Sequence, residues 1–259
     1  MHSGGEKTVQ VHFPYQVLVA RLGEIIAGRV NPEIFMDRAD LEAASPPELK
    51  MVARELESAG LRVTMHGPYS GVNPGSADES VRIHTMDVYE KAFEAASILR
   101  PRNIVLHAGY SEGRFKGGAE EWMAQSMKTW PRFVKLAGDL GVTIAVENIF
   151  EKEPSTLKAL VEAVGSPSFR VCLDAGHLGV FSSVEFEEWF RALGPHIAEV
   201  HLHDNNSGAD EHLPIGEGTI DFPLFFHLLG LYASEPVYTI EPHGAAVTKR
   251  AIKAIKAYL

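Results

Sequence analysis

The chain has 259 residues, a length at which α/β barrels often form a single domain. Hydrophobic residues make up 45% and charged residues 22%, which excludes an intrinsically disordered chain. The 24 basic and 34 acidic residues give a net charge of −10, and no basic tract supports a protein that coats nucleic acid or a membrane surface. These totals still allow a local basic groove.

The sequence also bears on the compartment in which the protein works. Its single cysteine, Cys172, excludes an internal disulfide and fits a reducing environment. No apolar run reaches about 18 residues, and the N-terminal residues lack the apolar core of a signal peptide. We therefore expect a cytoplasmic protein without a membrane partner, in which residues 1–7 form a flexible tail.

Short β-branched and apolar runs alternate with longer amphipathic stretches along the chain. The runs predict eight strands: Thr8–Phe13, Glu33–Met36, Leu61–His66, Asn103–His107, Val142–Glu147, Arg170–Asp174, Ile197–Leu202 and Val237–Glu241. The stretches predict one helix after each strand: Tyr15–Gly28, Pro46–Ala59, Ser80–Arg100, Glu120–Leu140, Ser155–Val164, Val184–Leu193, Phe222–Leu229 and Val247–Tyr258.

This alternation requires a parallel sheet, either open and doubly wound or closed into a barrel. Eight units favour the closed form, and no G-x-G-x-x-G follows the first strand to support a dinucleotide-binding open sheet. We predict that residues 8–259 form a single (β/α)8 TIM barrel, with a functional site at the C-terminal ends of its strands.

From the third strand onward, every predicted strand ends on a side chain that can bind a metal. These residues are His66, His107, Glu147, Asp174, His201 and Glu241. A lone histidine or carboxylate at a strand end usually has a structural role, but six successive coincidences are hard to explain in that way. In a barrel these groups converge on one mouth, where a divalent cation would compensate the carboxylates and use the imidazole lone pairs.

The loops after the strands add further candidates. His177 follows Asp174 by one short turn, and Asp210 and His212 follow the seventh strand. The segment Gly216-Glu-Gly218 supplies a turn that could let backbone approach a ligand closely.

Taken together, several short motifs resemble a known family. They are His66-Gly-Pro-Tyr69, His107-Ala-Gly109, Val146-Glu147-Asn148, Asp174-Ala-Gly-His177, His201-Leu-His-Asp204, Asp210-Glu-His212 with Gly216-Glu-Gly218, and Glu241-Pro242. The chain resembles the xylose isomerase-like TIM barrels, also called the AP endonuclease family 2 superfamily, over nearly all its length from Leu61 onward. This group includes endonuclease IV and many sugar or sugar-phosphate isomerases and epimerases.

The resemblance implies two overlapping ligand sets. The isomerase branch holds one metal, which here would be bound by Glu147, Asp174, His201 and Glu241. The endonuclease IV branch holds three zinc ions. The first would be bound by His66, His107 and Glu147, the second by the four residues just named, and the third by His177, Asp210 and His212. Mixed imidazole and carboxylate ligands suit Zn or Mn.

The first hypothesis is a sugar or sugar-phosphate isomerase or epimerase. The metal would hold substrate oxygens, Glu147 and Glu241 would act as base and acid, and His177 would contact a substrate hydroxyl. We expect further substrate contacts from Tyr69 and His203, and from the small basic loop that contains Arg114 and Lys116. Isomerases of this barrel are often dimers or tetramers, so the resemblance also leaves a homo-oligomer open.

The second hypothesis is a trinuclear zinc phosphodiester hydrolase that acts on abasic DNA. The complete nine-residue ligand set favours it, whereas the acidic loop Asp37-Arg-Ala-Asp-Leu-Glu42 opposes it, because phosphate contacts supply most of the affinity for DNA. A third hypothesis is a non-catalytic binding barrel or a metal-dependent lyase or dehydratase.

Overall fold

The chain folds into a closed barrel of eight parallel strands, as the sequence predicts. The computed structural model describes residues 9–113, 115 and 118–259, so the predicted tail 1–7 lies outside the described residues. Each strand pairs with the next along the chain, and the last pairs with the first. The strands are β1 (Val9–Pro14), β2 (Asn31–Phe35), β3 (Thr64–His66), β4 (Asn103–His107), β5 (Thr143–Glu147), β6 (Phe169–Asp174), β7 (Ile197–Leu202) and β8 (Val237–Ile240).

Strand ends differ from the prediction by a few residues, and one difference concerns the mouth. Glu241 lies one residue beyond β8 rather than within it. β3 is only three residues long, because the chain from Leu61 to Val63 is not part of the ladder. The register nevertheless aligns the strand ends: His107 pairs with Glu147, and Asp174 pairs with His201.

The helices form the outer layer of the barrel. They are α1 (Tyr15–Ala20), α2 (Leu22–Ala27), α3 (Arg38–Ala43), α4 (Pro46–Ser58), α5 (Glu79–Leu99), α6 (Gly118–Leu140), α7 (Ser155–Val164), α8 (Ala175–Phe181), α9 (Phe186–Leu193), α10 (Phe222–Tyr232) and α11 (Ala245–Ile255), with a short 3₁₀ turn at Gly194–His196. No described helix is both long and apolar enough to cross a membrane.

The prediction of one helix per strand is wrong in three units. The first helix is interrupted at Arg21, and the segment after β2 that we expected to be an acidic loop forms α3. Asp37 begins α3 through a capping box with Asp40, in which each side chain accepts a backbone N–H of the other residue. The third difference is α8, which begins directly after Asp174 because that carboxylate accepts the backbone N–H of His177.

The core lies between the barrel and its helices, where Trp122, Trp130 and Trp189 are fully buried as expected of packing residues.

The N-terminal half of the barrel interior is polar. Glu199 accepts hydrogen bonds from the hydroxyl of Thr239 at 2.5 Å and from the amide of Asn103 at 2.9 Å. Burial raises the pKa of Glu199 to about 8.

Candidate metal centre at the barrel mouth

All nine predicted ligands lie at the C-terminal mouth of the barrel. The six strand-end residues come from six neighbouring strands, and the remaining three lie on α8 and on the segment between β7 and α10. Glu147, Asp174 and His201 are at most 2% exposed. In the described part of the chain, no lysine or arginine nitrogen lies within 4 Å of the mouth carboxylates, whose neighbours are imidazoles.

The first group consists of His66, His107 and Glu147. Both imidazole Nε2 atoms approach the same carboxylate oxygen, Oε2 of Glu147, at 3.2 and 3.0 Å. The other ring nitrogen of His66, Nδ1, lies 2.8 Å from the carbonyl oxygen of Gly67, and a carbonyl can only accept. His66 therefore carries its proton on Nδ1 and presents Nε2 to a carboxylate, an arrangement that needs a proton or a cation between them.

The second group surrounds His201 at the end of β7. Its Nδ1 lies 3.2 Å from Oε1 of Glu147, 3.2 Å from Oε1 of Glu241 and 3.8 Å from Oδ2 of Asp174. Its Nε2 lies 3.3 Å from Oε2 of Glu33, which is completely buried in β2. A carboxylate behind an imidazole fixes the ring orientation and raises the basicity of the opposite nitrogen.

The third group is built around Asp210. Its Oδ2 lies 3.5 Å from Nε2 of His177 and 3.2 Å from Nε2 of His212. Both histidines repeat the pattern of His66, because their Nδ1 atoms lie 2.9 and 3.0 Å from the carbonyl oxygens of Asn148 and Glu241. Both therefore direct Nε2 toward the carboxylate.

The electrostatics of the mouth show how strongly these groups depend on each other. Burial alone would lower the histidine pKa values, but the facing carboxylates raise the pKa of His66 and His212 to about 9 and that of His177 to about 10. Burial opposes the charged form of Glu147 and Asp174, yet the neighbouring imidazoles lower the pKa of both carboxyls. Without another cation, protons on the imidazoles balance the carboxylates.

The predicted substrate-contact residues fall in different places. The mouth contains a cavity of about 630 Å³ whose walls include Tyr69, Phe150 and Phe181. Tyr69 is 52% exposed and stacks on His107. His203 is buried instead, with Nε2 3.2 Å from a carboxylate oxygen of Asp174. The other two predicted contacts, Arg114 and Lys116, lie outside the described residues.

Sequence reasoning did not single out Glu33, although it placed the residue in a strand. Glu33 is fully buried and connects two rings of the mouth, since His201 contacts its Oε2 and Nδ1 of His12 lies 2.8 Å from its Oε1. His12 also lies 3.3 Å from Oε1 of Glu241. The available signal was a carboxylate next to the apolar residues Ile34 and Phe35 in a predicted strand.

Asp204 belongs to one of the sequence motifs, but the sequence assigned it no role of its own. It is completely buried and accepts four backbone N–H groups, from Asn205 and Ile220 on Oδ1 and from Gly216 and Gly218 on Oδ2, at 2.9 to 3.1 Å. These bonds fold the segment that carries Asp210 and His212 back over the mouth. Gly218 is required there, because a Cβ atom would lie 2.3 Å from the carbonyl oxygen of Asn205.

We predict that Asp204→Asn destabilises the protein by about 3 kcal/mol, because Asp204 is buried and an amide leaves two of its four N–H donors without an acceptor in either orientation. Urea unfolding measures the loss, and hydrogen exchange at Gly216 and Gly218 locates it. Asp221→Asn is the matched control, since Asp221 is exposed and caps α10 through one N–H of Leu224. Equal losses in both variants would contradict this role for Asp204.

A second prediction concerns Glu151, which is buried beside the mouth and accepts the N–H of Ile149 at 2.7 Å. Burial raises its pKa to about 7. The folded state therefore holds this proton more tightly than the unfolded state, so stability is lost as pH rises from about 4.5 through 7, by about 3 kcal/mol. Glu151→Gln removes the loss, and it should be more stable than the wild type at pH 8 and nearly equal at pH 5.

Denaturant unfolding at a series of pH values measures this difference. Glu188→Gln, at an exposed position of α9, is the matched control and should show no pH-dependent gain. A gain for Glu151→Gln that is the same at pH 5 and pH 8 would contradict the assignment.

Comparisons with known proteins agree with this fold. L-ribulose-5-phosphate 3-epimerase UlaE of Escherichia coli is 30% identical over 168 residues, which are 60% of this chain and 55% of the epimerase. A probable endonuclease 4 of Mycobacterium leprae is 27% identical over 189 residues, which are 69% of this chain and 72% of that protein.

Among solved structures, a D-tagatose 3-epimerase-like protein superimposes with a TM-score of 0.81 and 27% identity, covering 96% of each chain. The sequence model of one family, described as the xylose isomerase-like TIM barrel, matches residues 29–258. This match spans the seven strands from β2 to β8 and all nine predicted ligands. The chain therefore belongs to the xylose isomerase-like TIM barrel family.

Proposed function

We propose that this protein is a divalent-metal-dependent epimerase or isomerase of a sugar or sugar phosphate. The observation that carries the proposal is the arrangement around Nδ1 of His201, where Glu147 and Glu241 approach from different strands at 3.2 Å each. Two carboxylates held close to one coordination point can act as base and acid toward a bound substrate. Sugar epimerases among the similar proteins support this reading.

The donor set fits a divalent cation. His66, His177 and His212 each give their Nδ1 proton to a backbone carbonyl and turn Nε2 toward a carboxylate, the orientation found in metal-binding histidines. Glu147, Asp174, His201 and Glu241 would hold the principal ion, with Zn or Mn favoured by the mixed nitrogen and oxygen donors. When bound, the cation supplies positive charge that stabilises negative charge on substrate oxygens.

The two glutamates carry the proton transfer. One carboxylate removes the proton from the carbon next to the substrate carbonyl, and the carboxylic acid of the other returns a proton to the opposite face of that carbon. The bond broken and the bond formed are both C–H bonds, so the carbon is inverted without an external oxidant or reductant. His177, between the second and third groups, is placed to contact a substrate hydroxyl.

The cavity suits a small substrate better than a nucleic acid. Its volume of about 630 Å³ lies in the range of small-molecule sites, and aromatic side chains wall it on the solvent side. Next to it, α3 carries Asp40 and Glu42 and is capped by Asp37. Arg38 and Lys91 both contact Glu42, which leaves Asp37 and Asp40 without a basic partner among the described residues. This acidic helix would repel a phosphate backbone.

One observation favours a second candidate, a phosphodiester hydrolase that uses several zinc ions. The third group, in which Asp210 faces His177 and His212, exceeds what a single-metal epimerase requires. Such a group could hold further ions that neutralise a phosphate and activate water. The similarity to a probable endonuclease 4 supports this candidate as well.

Metal content separates the two candidates. The proposal predicts about one tightly bound divalent ion per chain, measured by mass spectrometry on protein purified without chelators or an affinity-metal column. The ion should remain in His212→Ala and be lost in Asp174→Asn. About three zinc ions per chain, reduced in His212→Ala, would contradict a single-metal site and support the hydrolase.

Proton transfer is tested with Glu147→Gln and Glu241→Gln. Each variant loses either the base or the acid, so solvent deuterium incorporation into a reactive sugar should fall by at least about 100-fold. The assay screens ketopentoses, ketohexoses and their phosphates, with Glu188→Gln as a surface control that keeps full activity. Undiminished exchange in Glu147→Gln would refute the assignment of the site.

A further inference from the structure

The opposite end of the barrel contains a second large cleft. Its volume is about 760 Å³, and it lies where α4 and α5 end and where β3, β4 and β8 begin. The floor is apolar and includes Leu61, Ile98 and Val237. The cleft is therefore separated from the mouth by the length of the barrel.

Five basic side chains line this cleft, against one carboxylate from Glu57. They are Lys50, Arg54, Arg62, Arg100 and Arg102. The whole chain has 24 basic residues and a net charge of −10, so this concentration of positive charge runs against the overall balance. By contrast, the described residues that line the mouth cavity include no lysine or arginine.

For three of the five side chains, no acidic group of the described chain lies close enough to neutralise the charge. Lys50, Arg54 and Arg100 are exposed, and within the described ranges no carboxylate oxygen lies within 4 Å of their side-chain nitrogens. Arg102 donates one hydrogen bond, to the carbonyl oxygen of Glu235 at 3.3 Å, and leaves the rest of its guanidinium for other acceptors.

Helix electrostatics explain only part of this pattern. Cations near the ends of α4 and α5 stabilise the negative C-terminal ends of those helices, which accounts for Arg62, Arg100 and Arg102. Arg54 and Lys50 lie about one and two turns before the end of α4, respectively, on the side that faces the cleft. These two side chains add positive charge to the cleft, although stabilisation of the helix C-terminus does not account for their position.

We propose that this basic cleft is a second binding site, for a small anion that carries a diphosphate group. One guanidinium group can donate two parallel hydrogen bonds to two oxygens of a phosphate. Several guanidinium groups around one cleft can therefore bind more than one phosphate. The volume exceeds what a single phosphate fills and lies within the range of small-molecule sites. The apolar floor accepts a ring, so a nucleoside diphosphate uses the whole cleft, whereas inorganic pyrophosphate uses only its charged rim.

The site acts independently of the mouth. No predicted metal ligand lines the cleft, and its occupation requires neither a metal nor the proposed sugar chemistry. Loss of the proposed function in other tests would leave this site unaffected.

Isothermal titration calorimetry of the full chain at about 0.15 M salt tests the proposal with two probes, ADP and inorganic pyrophosphate; at that ionic strength weak long-range attraction is largely screened. We expect both to bind, with ADP tighter because it also covers the apolar floor. The variant Arg54→Glu/Arg100→Glu should weaken both by at least 10-fold. Pyrophosphate binding as tight as ADP binding would assign the site to the diphosphate group alone.

Lys128→Glu/Lys249→Glu is the matched control, because both lysines are exposed elsewhere and the change in net charge is the same. It should bind both probes within twofold of the wild type. Absence of binding, equal weakening in the control, or binding unchanged in Arg54→Glu/Arg100→Glu would each overturn the proposal. Stronger binding of a short DNA duplex than of ADP, at the same residues, would also overturn the proposal.

Circular dichroism of each variant verifies folding. If Arg54→Glu/Arg100→Glu unfolds, Arg54→Gln/Arg100→Gln replaces it.

Discussion

Carboxylates buried among imidazoles, without lysine or arginine neighbours in the described chain, set the conditions for the rest of the mouth. Glu33, Glu147 and Asp174 are at most 2% exposed, and an isolated buried carboxylate is costly unless a positive charge compensates it. Arginine would compensate these groups permanently and close the site. Imidazoles compensate the carboxylates only when the rings are protonated, or when a ring and a carboxylate bind the same cation. Either protons or a metal ion can therefore balance the negative charge of the mouth.

The barrel makes this arrangement through its backbone as well as through its side chains. The carbonyl oxygens of Gly67, Asn148 and Glu241 all lie at or just beyond strand ends, where the ladder no longer uses them. Each accepts a hydrogen bond from a histidine ring and so fixes which nitrogen faces the carboxylates. The same strand ends thus carry the candidate ligands and also orient them.

The sequence predicted the parts of this site that follow from strand periodicity. Eight strands, and the six strand-end residues that converge on the mouth, could be predicted because an apolar run marks each strand and a polar residue closes six of these runs. Glu33 could not be found in this way, since it lies inside its strand and its role depends on His201 in another strand. Asp204 was hidden for a similar reason, because its four N–H partners come from loop backbone, whose path no pattern of side chains specifies. The additional helices α3 and α8 are too short for a periodic signal and depend on the caps at Asp37 and Asp174.

The same nine side chains are compatible with two chemistries, and the choice depends on charge outside the shared residues. Proton transfer needs two carboxylates around one ion, whereas phosphodiester cleavage needs enough positive charge to hold a phosphate. Here Asp210 places a further carboxylate between His177 and His212, and α3 adds acidic side chains next to the cavity. On the proposed function, this negative charge disfavours a polyanion such as DNA unless additional ions overcome it. The basic cleft at the other end shows that the chain does collect positive charge, but at a distance from the mouth, where that charge cannot assist a phosphate there.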